Sequence, residues 1–334
     1  MRKLIYILLF FISTSSFSQW LCNDSEGWLY NDGWLWSDGY GILVDSTVLL
    51  DENENVQFIE QNIYLTSDQT PIDQNTFIFI IEVGSTIYID WGNGDESITE
   101  LNGTGANQNA VSNYSNEGTY RIKIHGDLLA ITALTIITEP NLSGHLNVGI
   151  LTSLTYLQLH TLPNCTINGG EINNLTSLTI LYLLFLPNVI INGGEINNLT
   201  LLTTLQLLSL PNVTINGGEI GSLTSLITLY LAILPNCTIN GGEISLLTSL
   251  TYLYLQTLLL VAISNTENFT DIIIYINDCL MTATSVDNTL IRLDALGWIN
   301  HTVTIAGNNA ARTAASDAAK AALLGKGWTI VVNE

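Results

Sequence analysis

Basic residues are scarce in this 334-residue chain, which sets 8 Lys+Arg against 30 Asp+Glu for a formal net charge of −22. A surface so poor in cations cannot neutralise phosphates, which excludes nucleic acid and anionic lipid as partners. Cysteine is sparse too: Cys22, Cys165, Cys237 and Cys279. Cys165 and Cys237 hold one register of a repeat, three coils apart. At about 4.8 Å per coil that is beyond disulfide reach, so both read as small buried hydrophobes in a column with Val189 and Val213. A Cys22–Cys279 bridge would need the two ends to meet and is not expected.

Catalytic signatures are missing as well. His125, His145, His160 and His301 share no ligand-like spacing, and no H-E-x-x-H, G-x-S-x-G, phosphate-loop or dinucleotide fingerprint occurs. Serine and threonine recur with the repeat, as structural columns do. The expectation is a protein that is not an enzyme and needs no cofactor.

Of the long apolar runs, the one at the start differs in kind. Arg2 and Lys3 precede an apolar run from Leu4 to Ile12, and small polar residues end at Ser16-Phe17-Ser18. That layout is a secretory leader over 1–18, cleaved near Ser18-Gln19, and too short for a permanent span. It implies a secreted or bacterial cell-surface protein without stable membrane insertion. Losing Arg2 and Lys3 takes the formal charge to about −24.

Residues 19–41 are rich in tryptophan, with Asp32-Gly33 and Asp38-Gly39 between short aromatic runs, a pattern for tight turns between very short strands. Trp28, Trp34 and Trp36 either form an aromatic micro-core or offer flat faces to sugars. From 42 to 128 the pattern alternates with period two, in ILVDSTVLL, NVQFIEQNIYL, NTFIFIIEV, STIYIDW and GTYRIKIHG, and predicts a small antiparallel sandwich.

Within it, Ile87-Tyr88-Ile89-Asp90-Trp91-Gly92-Asn93-Gly94-Asp95 and the later Tyr114-Ser115-Asn116-Glu117-Gly118-Thr119-Tyr120 resemble the PKD-like, immunoglobulin-like modules of bacterial surface proteins. The resemblance covers Asn75 to Asp127; family members usually carry Asp where Asn93 stands. Asp90, Asn93, Asp95 and Glu96 supply four oxygen-bearing side chains in a glycine-containing loop. They are a candidate Ca²⁺ site, or equally acceptors for turn N–H groups.

The dominant feature is a block written four times, beginning PNCTINGGEINNLTSLTILYLLFL, with prolines at Pro163, Pro187, Pro211 and Pro235. A 24-residue period announces a solenoid, which spans 129–263. Its Leu-x-Leu pairs, such as Leu157–Leu159 and Leu181–Leu183, predict one short parallel strand per coil. Asn-Gly-Gly in mid-coil predicts turns or 3-10 segments on the back.

The pattern L-x-x-L-x-x-L-x-L, with Pro140-Asn141-Leu142-Ser143-Gly144 in a divergent first coil, resembles the leucine-rich repeats of bacterial surface proteins and plant receptor ectodomains. That resemblance implies a solenoid with a parallel β face. Where the family usually places a hydrogen-bonding Asn, this chain has Leu162, Leu186, Leu210 and Leu234, and Glu139 in the first coil. Two aligned sets offer a substitute: Asn164, Asn188, Asn212 and Asn236, and Asn168, Asn192, Asn216 and Asn240. Glu171, Glu195, Glu219 and Glu243 form a like-charged column that must be exposed, have raised pKa values, or share cations. Exposure is the simplest of these. Residues 264–334 read as longer α/β units, with Ile274-Tyr275-Ile276 ahead of helices at 285–296 and 311–324 and strands at 303–305 and 328–332, that continue the parallel sheet and cap the stack. Gly307-Asn308-Asn309 and Gly327-Trp328 resemble the closing segment of bacterial leucine-rich-repeat surface proteins.

The residues alternating with the strand leucines form the candidate surface. Its central column is Gln158, Tyr182, Gln206, Tyr230 and Tyr254. Beside it run Tyr156, Ile180, Thr204, Thr228 and Tyr252, and His160, Leu184, Leu208, Ala232 and Gln256. Apart from His160 these positions carry no charge in a strongly acidic chain. Such a face suits a protein or a neutral glycan, unless the repeat copied a harmless face or another part of the chain covers it. The function expected is adhesion or recognition; the alternative is a self-associating structural protein of an envelope layer or fibre.

Overall fold

The computed structural model describes residues 62–69, 73–94, 98–192, 194–215, 218–239, 243–262 and 273–334, and the backbone of five short strands before them. The secretory leader, the tryptophan side chains of 19–41, Asp95 and Glu96 lie outside the described residues. The chain forms two compact units, Met1–Glu60 and Gln61–Glu334. In the first, β1 (Trp28–Tyr30) pairs antiparallel with β2 (Gly33–Leu35), and β3 (Gly41–Leu43), β4 (Val48–Leu50) and β5 (Val56–Phe58) form a second small antiparallel sheet.

The second unit starts with β6 (Ile63–Gln69), β7 (Thr76–Ile81), β8 (Thr86–Asp90), β9 (Ile98–Asn102), β10 (Gln108–Val111) and β11 (Gly118–Gly126). Coil strands follow: β12 (Ile131–Ile137), β13 (Leu142–His145), β14 (Tyr156–His160), β15 (Asn164–Asn168), β16 (Ile180–Leu184), β17 (Val189–Ile190), β18 (Thr204–Leu208), β19 (Thr228–Ile239) and β20 (Tyr252–Val261). The C-terminal part adds β21 (Ile273–Asn277), β22 (Thr302–Ala306) and β23 (Thr329–Val332). An eleven-stranded sheet runs β10-β7-β12-β14-β16-β18-β19-β20-β21-β22-β23, parallel from β12 onward. A seven-stranded sheet runs β17-β15-β13-β6-β11-β8-β9.

The expected 42–128 sandwich is therefore divided. Its first strands belong to the Met1–Glu60 unit, and β6 to β11 merge with the solenoid, because β7 pairs antiparallel with β12 and β6 with β13. The physical reason is the open end of the first coil. Phe79 stands opposite Leu134 and Phe77 opposite Ile136, and all four are buried. Without that cover the leucine columns would end in water. Trp91 anchors the same core, its ring 5.2 Å from Phe77 and its carbonyl accepting from the Tyr114 hydroxyl at 3.3 Å.

Inside the coils, Leu157, Leu159, Leu181, Leu183, Leu205, Leu207, Leu229 and Leu231 are fully buried. Each contributes about 1.5–3 kcal/mol of transfer free energy. Cys165 and Cys237 sit in that core as free thiols, as does Cys279. Burial, with the carboxyl of Glu139 nearby, pushes the Cys165 thiol up to about 12.

Two polar ladders and a repeated left-handed corner close the coils. Asn164, Asn188, Asn212 and Asn236 each donate Nδ2–H to the carbonyl of the preceding coil's proline, at 2.6–3.0 Å. Thr155, Thr179 and Thr203 each donate Oγ1–H to the same-column carbonyl one coil back, at 2.9–3.0 Å; Ile227 interrupts this ladder and Thr251 resumes it. At each strand's C-terminal corner one non-glycine residue turns left-handed: Thr138, Thr161, Phe185, Ser209, Ile233 and Thr257, with φ between 51° and 56°. Each such residue costs about 1–2 kcal/mol of backbone strain. Part of the cost is offset where the N–H bonds the next coil's carbonyl, as Thr161 does to Leu184 and Ser209 to Ala232.

The C-terminal part carries helices as expected, α2 (Ala283–Leu296) and α3 (Asp317–Gly325), the latter shorter than the alanine-rich run suggested and preceded by a 3-10 turn at Ala314–Ser316. Asn309 is buried and bonds Cys279 N, Met281 N, Ile276 O and Ala306 O, which staples β21 to β22.

Candidate interaction surface

The ladder registers set the face. Gln158, Tyr182, Gln206, Tyr230 and Tyr254 align in adjacent strands, and the column extends to Thr135 at one end and to Tyr275, Thr304 and Val331 at the other. Tyr156 and Tyr252 head one flanking column; His160, Leu208 and Gln256 lie in the other. Across these columns, from β12 to β23, no Asp, Glu, Lys or Arg occurs. Three flank positions recede from the surface, Ala133 at the first strand, and Leu184 and Ala232 at the corner where the chain leaves the strand.

Side chains on this face are ordered by one another. Tyr230 and Tyr254 stack with centroids 4.3 Å apart at 3°, and Tyr254 and Tyr275 at 4.4 Å and 5°. Parallel strands in register force this, since like residues at coil spacing have one shared rotamer that fits. Tyr156 meets Tyr182 edge-on at 5.8 Å. The Tyr156 hydroxyl donates to Gln158 Oε1 and that of Tyr254 to Gln256 Oε1, at 2.6 and 2.7 Å. Burial and the adjacent phenols raise the Tyr254 hydroxyl above its ordinary range, so it stays a donor. The stack shows solvent its ring edges and hydroxyls; the flat faces of Tyr254 are both taken.

Elsewhere, the two described residues of the candidate acidic loop make turn bonds. Asp90 Oδ1 accepts from Gly92 N at 2.8 Å and Asn93 Nδ2 donates to Asn113 O at 2.8 Å. Gly92 is required there: φ is +79°, and a Cβ would strike the Arg121 backbone. Among the described residues no group of three or more His, Cys, Asp or Glu is placed to hold a metal ion.

Exposure does not explain the glutamate column. Glu219 is 8% and Glu243 5% exposed. Three of the four carboxylates cap backbone N–H groups: Glu171 accepts from Asn168 N at 3.0 Å in a capping box at α1 (Gly169–Asn173), Glu195 from Asn192 N, and Glu243 from Gly218 N one coil back. Glu171 also meets His145 Nε2 at 2.7 Å.

Among solved structures the chain is similar to a leucine-rich-repeat protein of Leptospira interrogans, at 22% identity and a TM-score of 0.34, over 48% of this chain and 39% of that one. It is also similar to the plant peptide hormone receptor RGFR1 in complex with RGF2, at 19% identity and a TM-score of 0.33, over 54% of this chain and 32% of that one. The chain thus spans well under half the length of either. No protein-family model and no curated protein matches it. The coils are a leucine-rich-repeat-like solenoid on their own geometry, with buried leucine columns and one parallel strand per coil. Among the described residues no helix is long and apolar enough to cross a membrane.

Ile274-Tyr275-Ile276 was expected to continue the sheet, and it does, but Tyr275 was not counted in the candidate column because its strand, Ile273–Asn277, lies past the last regular coil and lacks the Leu-x-Leu signal.

Proposed function

We propose that this chain is an exported, non-enzymatic adhesion or recognition protein that binds a protein partner through the uncharged face of its long sheet. One observation carries the reading: a chain of net charge −22 keeps every formal charge off three adjacent columns over its whole parallel sheet. Three of its coil glutamates, Glu171, Glu195 and Glu243, are committed to capping backbone N–H groups. Desolvating such a face on binding costs little, and tyrosine edges with amide and hydroxyl rims supply directional contacts. The leader sequence supports export, and the stacking favours a protein over a glycan at the centre of the column, because sugars need flat ring faces and both of those of Tyr254 are taken.

Probing an array of extracellular and envelope proteins with the mature chain tests this. Binding is expected to be lost on Gln206→Glu and on Tyr230→Glu and kept on Asn212→Asp. Signals that survive both face substitutions would refute the reading. Light scattering across a concentration series separates the self-assembling alternative, which requires mass to grow with concentration.

A further inference from the structure

The tyrosine stack has an unfinished end. Tyr230, Tyr254 and Tyr275 lie over one another at 4.3 and 4.4 Å. The next residues in the column are Thr304 and Val331. A threonine side chain stops far short of the phenol ring, so the outer face of Tyr275 borders a step in the sheet surface with no fourth ring over it. At the opposite end of the stack the neighbour is the longer Gln206.

Around the step the walls are mixed and uncharged. Ile273 and Val331 are 52% and 47% exposed, and Asn277 flanks Tyr275 on the corner side. Asp278, beside Asn277, is engaged by its own bonds: Oδ2 accepts from Asn277 Nδ2 and Oδ1 from Asn308 N at 2.8 Å. We propose that the open face of Tyr275, bounded by Thr304, Val331, Ile273 and Asn277, is a stacking subsite for one neutral hexopyranose ring.

A pyranose brings an apolar C–H face to the phenol at the spacing the stack already uses, and hydroxyls around its rim for Thr304, Thr302 and Asn277. An aromatic side chain would cover the same ring but offer no partner to those hydroxyls or to Asn277 Oδ1 as it desolvates them, which is unfavourable. The walls hold no cation to pair an acidic sugar, and both oxygens of Asp278 are already bonded, to Asn277 Nδ2 and Asn308 N, which leaves a cationic sugar little to gain. A single ring in an open step binds weakly, on the order of millimolar. The subsite shares the sheet face assigned above and rests on that reading only in this respect; it occupies the far end from Gln206.

Saturation-transfer NMR on the full chain is the test, using the methyl glycosides of glucose, galactose and mannose and of N-acetylglucosamine, with indole as an aromatic probe. At least one glycoside is expected to receive saturation through the C–H protons of one ring face. Tyr275→Ala should reduce it at least fivefold. Thr304→Tyr, which completes the stack and keeps the Tyr254–Tyr275 contact, should abolish it while the far-ultraviolet spectrum stays unchanged. Gln206→Glu should leave it intact, so loss of protein binding and loss of sugar binding are separable. No transfer to any glycoside, transfer that persists in Thr304→Tyr, or an indole signal without a glycoside signal would each overturn the proposal.

Discussion

Replacing Glu139 by Gln should stabilise the protein above neutral pH and leave it unchanged in acid. Glu139 is 4% exposed at the seam between the first coil and β7, and its Oε1 accepts from Thr76 N at 2.6 Å. Burial pushes its carboxyl from 4.5 up to about 7; the Thr76 N–H bond opposes this and the charge of Asp73 adds to it. The folded state therefore holds a proton that the unfolded chain releases, so this residue's contribution is full below pH 4.5 and is lost as pH rises through about 7. At about 1.4 kcal/mol per pH unit, the loss by pH 8 is on the order of 3 kcal/mol. Gln keeps an acceptor for Thr76 and carries no charge. Urea unfolding followed by tryptophan fluorescence at pH 4 and pH 8 measures the difference. The variant is expected to match the parent at pH 4 and to exceed it by about 3 kcal/mol at pH 8. An equal difference at both pH values, or a less stable variant at pH 8, would refute the reasoning.

Other expectations follow from the coil ladders and the C-terminal cap. Ile227→Thr restores the missing hydroxyl in the threonine ladder, aimed at Thr203 O, and should add about 1 kcal/mol in urea unfolding. Ile233→Asn relieves a β-branched residue at φ 55° and should add about 1 kcal/mol, read the same way. Asp287 accepts from Thr313 N, Thr313 Oγ1 and Ser316 Oγ at 2.6–2.9 Å. Burial works to raise its carboxyl, and those bonds together with Arg312 outweigh it, so its stabilisation is present above pH 3.8 and lost in stronger acid. Asp287→Ala should cost about 2–4 kcal/mol and speed amide exchange in α3 while β14 to β18 stay protected.

How much of this was legible depends on the kind of residue. The repeat positions translated directly, because each leucine faces one environment copied in every coil: strand register, core and face all follow from Leu157, Leu181, Leu205 and Leu229. The Asn164 column could be named as a staple but not given its acceptor, since the proline carbonyl lies 24 residues back in sequence. The glutamates were misread as exposed because capping geometry depends on which N–H groups the mid-coil turn aims outward. At the N-terminal side, β9 and β10 escaped notice: Ile98-Thr99-Glu100-Leu101-Asn102 and Gln108-Asn109-Ala110-Val111 alternate weakly and become strands by pairing with β8 and β7. The merger of β6 and β7 with the coils was not readable either, because pairing with β12 and β13 is decided by the open end of the stack rather than by either segment alone. On the candidate face, the column letters were visible, while the stacking that takes up the flat faces of Tyr254 required the angles.

The salt dependence of binding to a protein partner found on the array tests the central claim most directly. A partner held by an uncharged face should bind with a dissociation constant that changes less than about twofold between 50 and 500 mM NaCl. A single Gln206→Glu should weaken it about tenfold, or about 1.4 kcal/mol. Binding that collapses at high salt and ignores Gln206→Glu would place the interaction on the acidic surface instead, and would contradict the account.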